Sequence, residues 1–141
     1  VIGNGPEKDR LLEMAGKLGI MKQVIFTGFQ SDIVPWMKSL DIFCLTSEEE
    51  GLPQSLLEAM AFGKPVVVSS VGGVTEIIDD PMCGILIPPG DPMALSNAVI
   101  RLLHHPEKAK KMGQAGKERI KRGLLLDHTL DQMEDIYRTC L

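Results

Sequence analysis

Two glutamates, Glu50 and Glu58, flank a predicted junction between a loop and a helix. An acidic loop passes through Gly51 to Pro53, and an apolar run with helical spacing follows as far as Gly63. Proline is favoured where helices start and glycine where they end, which predicts a loop, a helix of about ten residues and a stop. Because Gly51 and Pro53 interrupt a continuous helix, we place Glu50 on the loop and Glu58 inside the helix.

The start of this predicted helix is suited to an anionic ligand. The first turn of a helix has unpaired N–H groups and a partial positive charge, and together these attract a phosphate. A carboxylate on either side, Glu50 before the helix and Glu58 within it, would meet hydroxyl groups. The pattern therefore fits a ligand with an anionic middle and two hydroxyl-rich ends, which is the form of a sugar nucleotide.

Composition narrows the class of protein. The 141 residues are 44% apolar and 24% charged, an ordinary mixture for a globular domain. The net charge of −4 argues against a nucleic-acid partner. Three cysteines, Cys44, Cys83 and Cys140, have no paired spacing and indicate reduced thiols in the cytoplasm, with Cys44 and Cys83 as buried small apolar residues. Since the first residue is Val1 and its neighbour continues a strand-like pattern, we expect a piece of a longer protein.

The chain alternates predicted strands and helices. Val66–Val68 is uninterrupted and β-branched, which is typical of a strand buried on both faces in a parallel sheet covered by helices. The alternation predicts an α/β domain with a Rossmann-like parallel sheet flanked by helices. Strands are predicted at residues 1–2, 24–26, 42–45, 66–68 and 84–87. Helices are predicted at 6–18, 32–40, 53–62, 74–78, 92–105, 106–120 and 127–137. The apolar face of the first helix is assigned to Leu11, Met14, Ala15 and Leu18.

Ligands of such sheets bind where the strands end. The carboxyl ends of parallel strands share one edge, and binding loops lie there. We therefore place the site among the loops that follow strands and interpret the loop after Val68 as flexible. These loops are Gly3–Gly5, Thr27–Gln30, Ser47–Pro53 and Ser69–Gly73.

Two other function classes fit an α/β domain. A dinucleotide-dependent epimerase or dehydrogenase would need a third glycine after Gly3 and Gly5, but position 8 is Lys8. A non-catalytic regulatory or interaction module of the receiver type would need an acidic cluster after its first strand and a lysine after a later one, and neither pattern is clear. We keep both classes as alternatives.

A series of short motifs follows in order along the chain: GNGPE at residues 3–7, LGI at 18–20, VIFTG at 24–28, DIF at 41–43, TS at 46–47, EGLP at 50–53, LEAMA at 57–61, GKPVV at 63–67, VGGVTE at 71–76 and GILIPPGD at 84–91. This order of motifs resembles the C-terminal half of a retaining GT-B glycosyltransferase of family 4, the glycosyl transferases group 1. The resemblance covers nearly the whole chain. The resemblance implies the nucleotide-sugar-binding domain of an enzyme that serves polysaccharide or glycolipid synthesis.

The resemblance also implies roles for residues of the central loop and helix. Glu50 would be the catalytic residue that faces the transferred sugar and steadies positive charge at its anomeric carbon. Gly51 and Leu52 would offer backbone contacts to the sugar and diphosphate, while Pro53, which has no N–H, shapes the loop. Glu58 would grip the ribose diol. Many relatives have Glu-Gly-Phe-Gly where this chain has Glu-Gly-Leu-Pro, which leaves the donor's identity open.

Further expectations concern the base, the cofactors and the partners. Gly28 and Phe29 match the loop whose backbone meets the base. The donor would be a UDP- or GDP-sugar, and the family needs neither a metal nor another cofactor. The family's Arg/Lys phosphate clamp and its acceptor-binding N-terminal domain would precede Val1, so we expect this piece alone to bind nucleotide weakly and to turn over no substrate. We expect a cytoplasmic enzyme, with peripheral contact at the inner membrane face as an option.

A basic segment near the C-terminus bears on that option. Residues 107–122 hold seven basic and two acidic residues with a thin apolar side. The default interpretation is a solvated surface helix, and the alternative is a patch for anionic lipid or a lipid-linked acceptor. Glu48 and Glu49 are interpreted as a solvated loop edge, and Glu76 is divided between bracing its short helix and lying near the site.

Overall fold

The computed structural model describes residues 1–123, so the helix predicted at 127–137 and Cys140 lie outside the described residues. The described elements, in chain order, are α1 (Lys8–Lys17), α2 (Val34–Ser39), β1 (Phe43–Leu45), α3 (Gln54–Ala61), β2 (Val66–Ser69), α4 (Val74–Ile77), β3 (Ile85–Ile87), α5 (Pro92–His104) and α6 (Pro106–Gly123). They form two compact units, Val1–Pro35 and Trp36–Leu141, of which residues 124–141 are not described. We call them the first unit and the second unit. The prediction of a single domain stays a prediction.

In the first unit, α1 ends as its sequence predicts. Gly19 has a φ of 69°, which an L side chain rarely adopts, and the N–H of Ile20 donates to the carbonyl of Ala15 over 3.0 Å. The predicted apolar face is wrong, because Ala15 is the one buried residue of α1. The other three assigned residues are exposed, since no sheet among residues 1–35 covers them. Their exposed fractions are 36% for Leu11, 45% for Met14 and 64% for Leu18.

The predicted strand Val24–Phe26 is also wrong. Only isolated bridges occur here, joining Gly28 to Ile2 in parallel and to Gly3 in antiparallel fashion. The Gly3 N–H donates to the Gly28 carbonyl over 2.8 Å. The β-branched sequence has the right propensity, but within the first unit it meets only the few residues around Ile2, too few to extend a ladder.

The second unit contains the predicted parallel sheet. Its three strands lie in the order β1-β2-β3, all parallel. Val67 of the central strand lies opposite Cys44 on one side and opposite Ile85 on the other. Every residue of β2 is buried, as the uninterrupted apolar run Val66–Val68 predicts for three of its four residues. The crossover helices α3 and α4 connect successive strands, which confirms the α/β, Rossmann-like prediction.

Two helix layers complete the core of the second unit. Helix α5 packs Ala98 and Leu102 against Val67 and Ile87 of the sheet. Helix α6 packs against α3. Its Gly113 lies against the turn that follows α3, where a Cβ on Gly113 would lie 2.0 Å from the Gly63 carbonyl oxygen. The buried side chains of α3 are Leu56, Ala59 and Met60.

Helix ends follow the sequence closely. The Asp91 carboxylate accepts from the Ala94 N–H over 2.9 Å and caps α5, with Pro92 in the first turn. Gly63, with a φ of 71°, closes α3, which has eight residues rather than about ten. Pro53 is the N-cap of α3 instead of its first helical residue.

The two described cysteines differ. Cys83 is buried as predicted, and burial, followed by the negative charges of Asp80 and Asp79, raises the pKa of its thiol. Cys44 is exposed, so its assignment to the core is wrong. Side chains alternate along a strand, and Cys44 points away from the face on which its neighbour Phe43 is buried.

An ion pair ties α6 to the residue that follows α4. Arg119 Nε donates to Asp79 Oδ1 over 2.9 Å, and Arg119 Nη2 lies 2.9 Å from Asp79 Oδ2. Arg119 Nη2 also donates to the Glu76 carbonyl over 3.4 Å. The hydrogen bond from Arg119 lowers the pKa of Asp79 below its ordinary value of 3.8.

Asp79→Asn should therefore destabilise the chain by about 0.5 kcal/mol, a small effect because the carboxylate is half exposed. The contribution is complete above pH 3.8, the unfolded value, and is lost as the pH falls through the lowered folded pKa. Urea unfolding at pH 7 and at progressively lower pH measures it. Asp80→Asn is the matched control, since its oxygen still accepts from the Met82 N–H. An equal loss at pH 7 for both variants would contradict the ion-pair explanation.

No helix among residues 1–123 combines the length and apolar character needed to cross a membrane.

Candidate functional site

The loop after β1 holds Glu50 in a fixed position. The Ser47 hydroxyl donates to Glu50 Oε1 over 2.6 Å, and the Glu50 side chain is half buried. Glu48 and Glu49 are exposed, which confirms their interpretation as a solvated loop edge. A carboxylate accepts about four hydrogen bonds, so the bond from Ser47 orients Glu50 without exhausting its capacity for a ligand hydroxyl.

The loop after β2 packs directly on the Glu50 loop. The Gly73 N–H donates to the Gly51 carbonyl over 3.1 Å. A Cβ on Gly73 would lie 2.2 Å from that same oxygen, and one on Gly72 would lie 1.9 Å from the Glu50 carbonyl oxygen. The interpretation of this segment as a flexible loop is therefore wrong, because backbone touches backbone here and only glycine fits.

Helix α3 begins beside these loops without a side-chain cap. The Leu56 and Leu57 N–H groups donate to the Pro53 carbonyl over 3.1 and 3.3 Å. The first two N–H groups, those of Gln54 and Ser55, lie ahead of this first turn, where helices leave donors unpaired. The start of α3 thus has the donors and the partial positive charge that suit an anion.

Glu58 lies on the exposed side of α3. The helix buries Leu56 and Met60, so the carboxylate of Glu58 is directed away from the core. As predicted, Glu50 precedes the helix and Glu58 lies within it. Between them Leu52 is 57% exposed and Pro53 is buried. The predicted contacts of Gly51 and Leu52 with the sugar and diphosphate stay predictions.

Gly28 and Phe29 belong to the first unit. Gly28 has a φ of 69°, and a Cβ there would lie 3.1 Å from Asn4 Oδ1, so glycine is required at this turn. Phe29 is 73% exposed. Their predicted contact with the base stays a prediction.

Sequence reasoning missed two features of the second unit: the hydrogen bond from the Ser47 hydroxyl to Glu50 and the backbone contact at Gly72–Gly73. The glycine pair was a usable signal, since adjacent glycines indicate close backbone approach. Ser47 is visible in the sequence three residues before Glu50, but the spacing alone does not show which group its hydroxyl bonds.

Glu76 is exposed on α4. Within residues 1–123 no group of three or more histidine, cysteine or acidic residues is arranged to hold a metal ion.

One family model and a relative of known name each match most of this chain. The family model described as "Glycosyl transferases group 1" matches residues 1–119. N-acetyl-alpha-D-glucosaminyl L-malate synthase of Bacillus anthracis is 32% identical over 137 residues, which cover 97% of this chain and 36% of that protein. The chain thus spans about a third of the length of this relative.

Solved structures of other proteins share the fold of this chain. Anabaena Alr3699/HepE in complex with UDP is 26% identical, with a TM-score of 0.86 over 99% of this chain and 40% of that one. The same protein in complex with UDP-glucose gives a TM-score of 0.85. The C-terminal domain of the glycosyl transferase group 1 protein LpcC of Francisella tularensis is 30% identical, with a TM-score of 0.77 over 84% of this chain and 63% of that one.

Proposed function

The chain belongs to the glycosyl transferases group 1 family, and from this premise we propose that it is the donor-binding domain of a retaining glycosyltransferase. The fold is the C-terminal half of the GT-B arrangement. In this proposal the full-length enzyme moves a sugar from a nucleotide-diphospho-sugar to a hydroxyl acceptor, in polysaccharide or glycolipid synthesis. A neighbour of known structure binds UDP and UDP-glucose, which supports a nucleotide-sugar donor.

The single observation that supports this proposal best is the junction before α3. There the Glu50 loop is held from two directions, by the Ser47 hydroxyl and by the Gly72–Gly73 backbone, beside a helix start with no side-chain cap. The diphosphate would lie at the Gln54 and Ser55 N–H groups. A charged group that is already oriented needs little reorganisation energy during the reaction. The hydrogen bond from Ser47 orients Glu50 in this way.

The two glutamates would then bind different parts of the donor. Glu50 would accept hydrogen bonds from the transferred sugar and stabilise positive charge that develops at its anomeric carbon. Glu58 would bond the ribose diol, because two carboxylate oxygens match two neighbouring hydroxyls. The reaction would proceed with retention and without a metal, with the leaving phosphate receiving the acceptor's proton.

This proposal predicts a specific loss of nucleotide affinity in Glu58→Gln. A hydrogen bond from a hydroxyl to a charged acceptor contributes about 1.5–3 kcal/mol, so UDP affinity should fall about tenfold or more. Isothermal titration of the chain with UDP, GDP and ADP, and with their sugars, measures the loss and ranks the bases.

Glu48→Gln is the matched control, since it removes the same charge from an exposed loop residue. If both variants lose affinity equally, general charge rather than ribose binding explains the result. Unchanged UDP affinity in Glu58→Gln would show that the ribose role is wrong.

A further inference from the structure

Arg119 of α6 holds the C-terminal end of the short helix α4. Its Nε donates to Asp79 Oδ1 over 2.9 Å, and its Nη2 lies 2.9 Å from Asp79 Oδ2. Nη2 also donates to the Glu76 carbonyl over 3.4 Å. One planar guanidinium thus bonds a carboxylate and the helix backbone together, because its donors are fixed in a fork.

The other end of α4 is bonded to the Glu50 loop. The Gly73 N–H donates to the Gly51 carbonyl over 3.1 Å. The Gly73 carbonyl accepts from the Ile77 N–H over 3.2 Å. Gly73 is therefore bonded to the Glu50 loop through its N–H and to the last residue of α4 through its carbonyl.

Helix α4 is too short to keep its position without its neighbours. It has four residues, about 6 Å at a rise of 1.5 Å per residue, and a single helical turn is not stable alone. The buried side chains of Val74 and Ile77 fix its inner side. The bond from Arg119 to Glu76 fixes its C-terminal end. Since Glu76 immediately precedes Ile77, loss of this bond acts on the residue that bonds Gly73.

Helix α6 gives Arg119 a firm support. A Cβ on Gly113 would lie 2.0 Å from the Gly63 carbonyl oxygen, so the two backbones touch. Ile120, the neighbour of Arg119, is buried. The guanidinium is therefore held by a helix that is itself packed closely on the domain.

We propose that Arg119 is a positioning residue for Glu50, which it keeps in place through α4 and Gly73. The inference rests on the proposed function for the role of Glu50. It differs from the role of Ser47, because the Ser47 hydroxyl bonds the Glu50 carboxylate directly whereas Arg119 acts on the backbone of its loop from another helix.

Amide NMR spectra of the 141-residue chain test the structural part of the proposal. Arg119→Gln should move the Gly73 amide proton upfield, because its hydrogen bond to Gly51 lengthens, and should shift the Leu52 amide of the same peptide group as the Gly51 carbonyl. Chemical shifts report on the folded state, so a general loss of stability does not produce this result.

Two further variants control the NMR test. Lys121→Gln removes a cation that pairs with Glu118 over 3.0 Å on the same helix, and it should leave the Gly73 amide unmoved. Arg119→Lys keeps the charge but not the fork, so it should move this amide less than Arg119→Gln. An unmoved Gly73 amide in Arg119→Gln, or an equal shift in Lys121→Gln, would overturn the proposal.

Steady-state kinetics of the full-length enzyme test the functional part. Arg119→Gln should lower kcat about tenfold while the donor KM changes less than about twofold, since a misplaced reacting group lowers turnover steeply. Arg119→Lys should recover part of kcat, and Lys121→Gln should keep all of it. Full kcat in Arg119→Gln, or a raised KM alone, would overturn the positioning role.

Glu50→Gln in the same assay separates this inference from the proposed function. If Glu50→Gln lowers kcat and Arg119→Gln does not, the positioning role fails and the proposed function stands. If Glu50→Gln keeps full kcat, the proposed function fails, and the positioning role falls with it.

Discussion

Gly72→Ala should lower the free energy of unfolding by about 3 kcal/mol, the largest stability effect we expect in the loops around the candidate site. Two costs combine: a new Cβ would lie 1.9 Å from the Glu50 carbonyl oxygen, and the φ of 45° disfavours any L side chain. Forced overpacking costs about 1–3 kcal/mol, and a left-handed backbone adds about 1–2 kcal/mol.

Two other glycines separate these costs. Gly73 has a φ of −66°, so Gly73→Ala tests the clash with the Gly51 carbonyl without the backbone penalty. Gly90 has a φ of 70° with no atom within 4 Å of its Cβ position, so Gly90→Ala tests the backbone penalty alone. Chemical denaturation should rank Gly72→Ala as the most destabilised and Gly90→Ala as the least. Gly72→Ala as stable as Gly90→Ala would contradict the tight packing of the two loops.

Glu50→Gln should lower the turnover of the full-length enzyme about 10²–10³-fold, with a smaller change in donor affinity. The reason is that Glu50 is proposed to stabilise charge that exists mainly in the transition state, and loss of one oriented electrostatic group has effects of this size. Steady-state kinetics with separate kcat and KM measures the division.

Two companion variants sharpen the test. Ser47→Ala removes the hydrogen bond of 2.6 Å that orients Glu50, so it should reduce kcat less than Glu50→Gln does. Glu49→Gln, an exposed neighbour with the same charge change, should leave kcat unchanged. A raised KM with unchanged kcat in Glu50→Gln would place Glu50 in ground-state binding instead.

Local signals predicted the second unit well. The β-branched run at Val66–Val68 predicted the central strand, and Asp91 with Pro92 predicted the start of α5. Both predictions succeeded because strand burial and helix capping depend on adjacent residues. The positions of Glu50 and Glu58 around the start of α3 followed in the same way from Gly51 and Pro53.

The sequence predictions failed where residues distant in the chain determine pairing, burial or packing. Val24–Phe26 has strand propensity, yet pairing depends on a neighbouring strand that the first unit does not supply. The exposure of Cys44 depends on which face of β1 is covered. The packing of Gly72 depends on the Glu50 backbone, more than twenty positions earlier. Propensity and periodicity contain no information about such contacts.

The most direct measurement is an amide NMR titration of the chain with UDP-glucose, with Glu58→Gln as its partner experiment. The account predicts saturable shifts centred on Gln54, Ser55 and Glu58, reduced in Glu58→Gln at equal ligand concentration. Saturable shifts that leave all three of these amides unmoved would place the donor elsewhere and contradict the account.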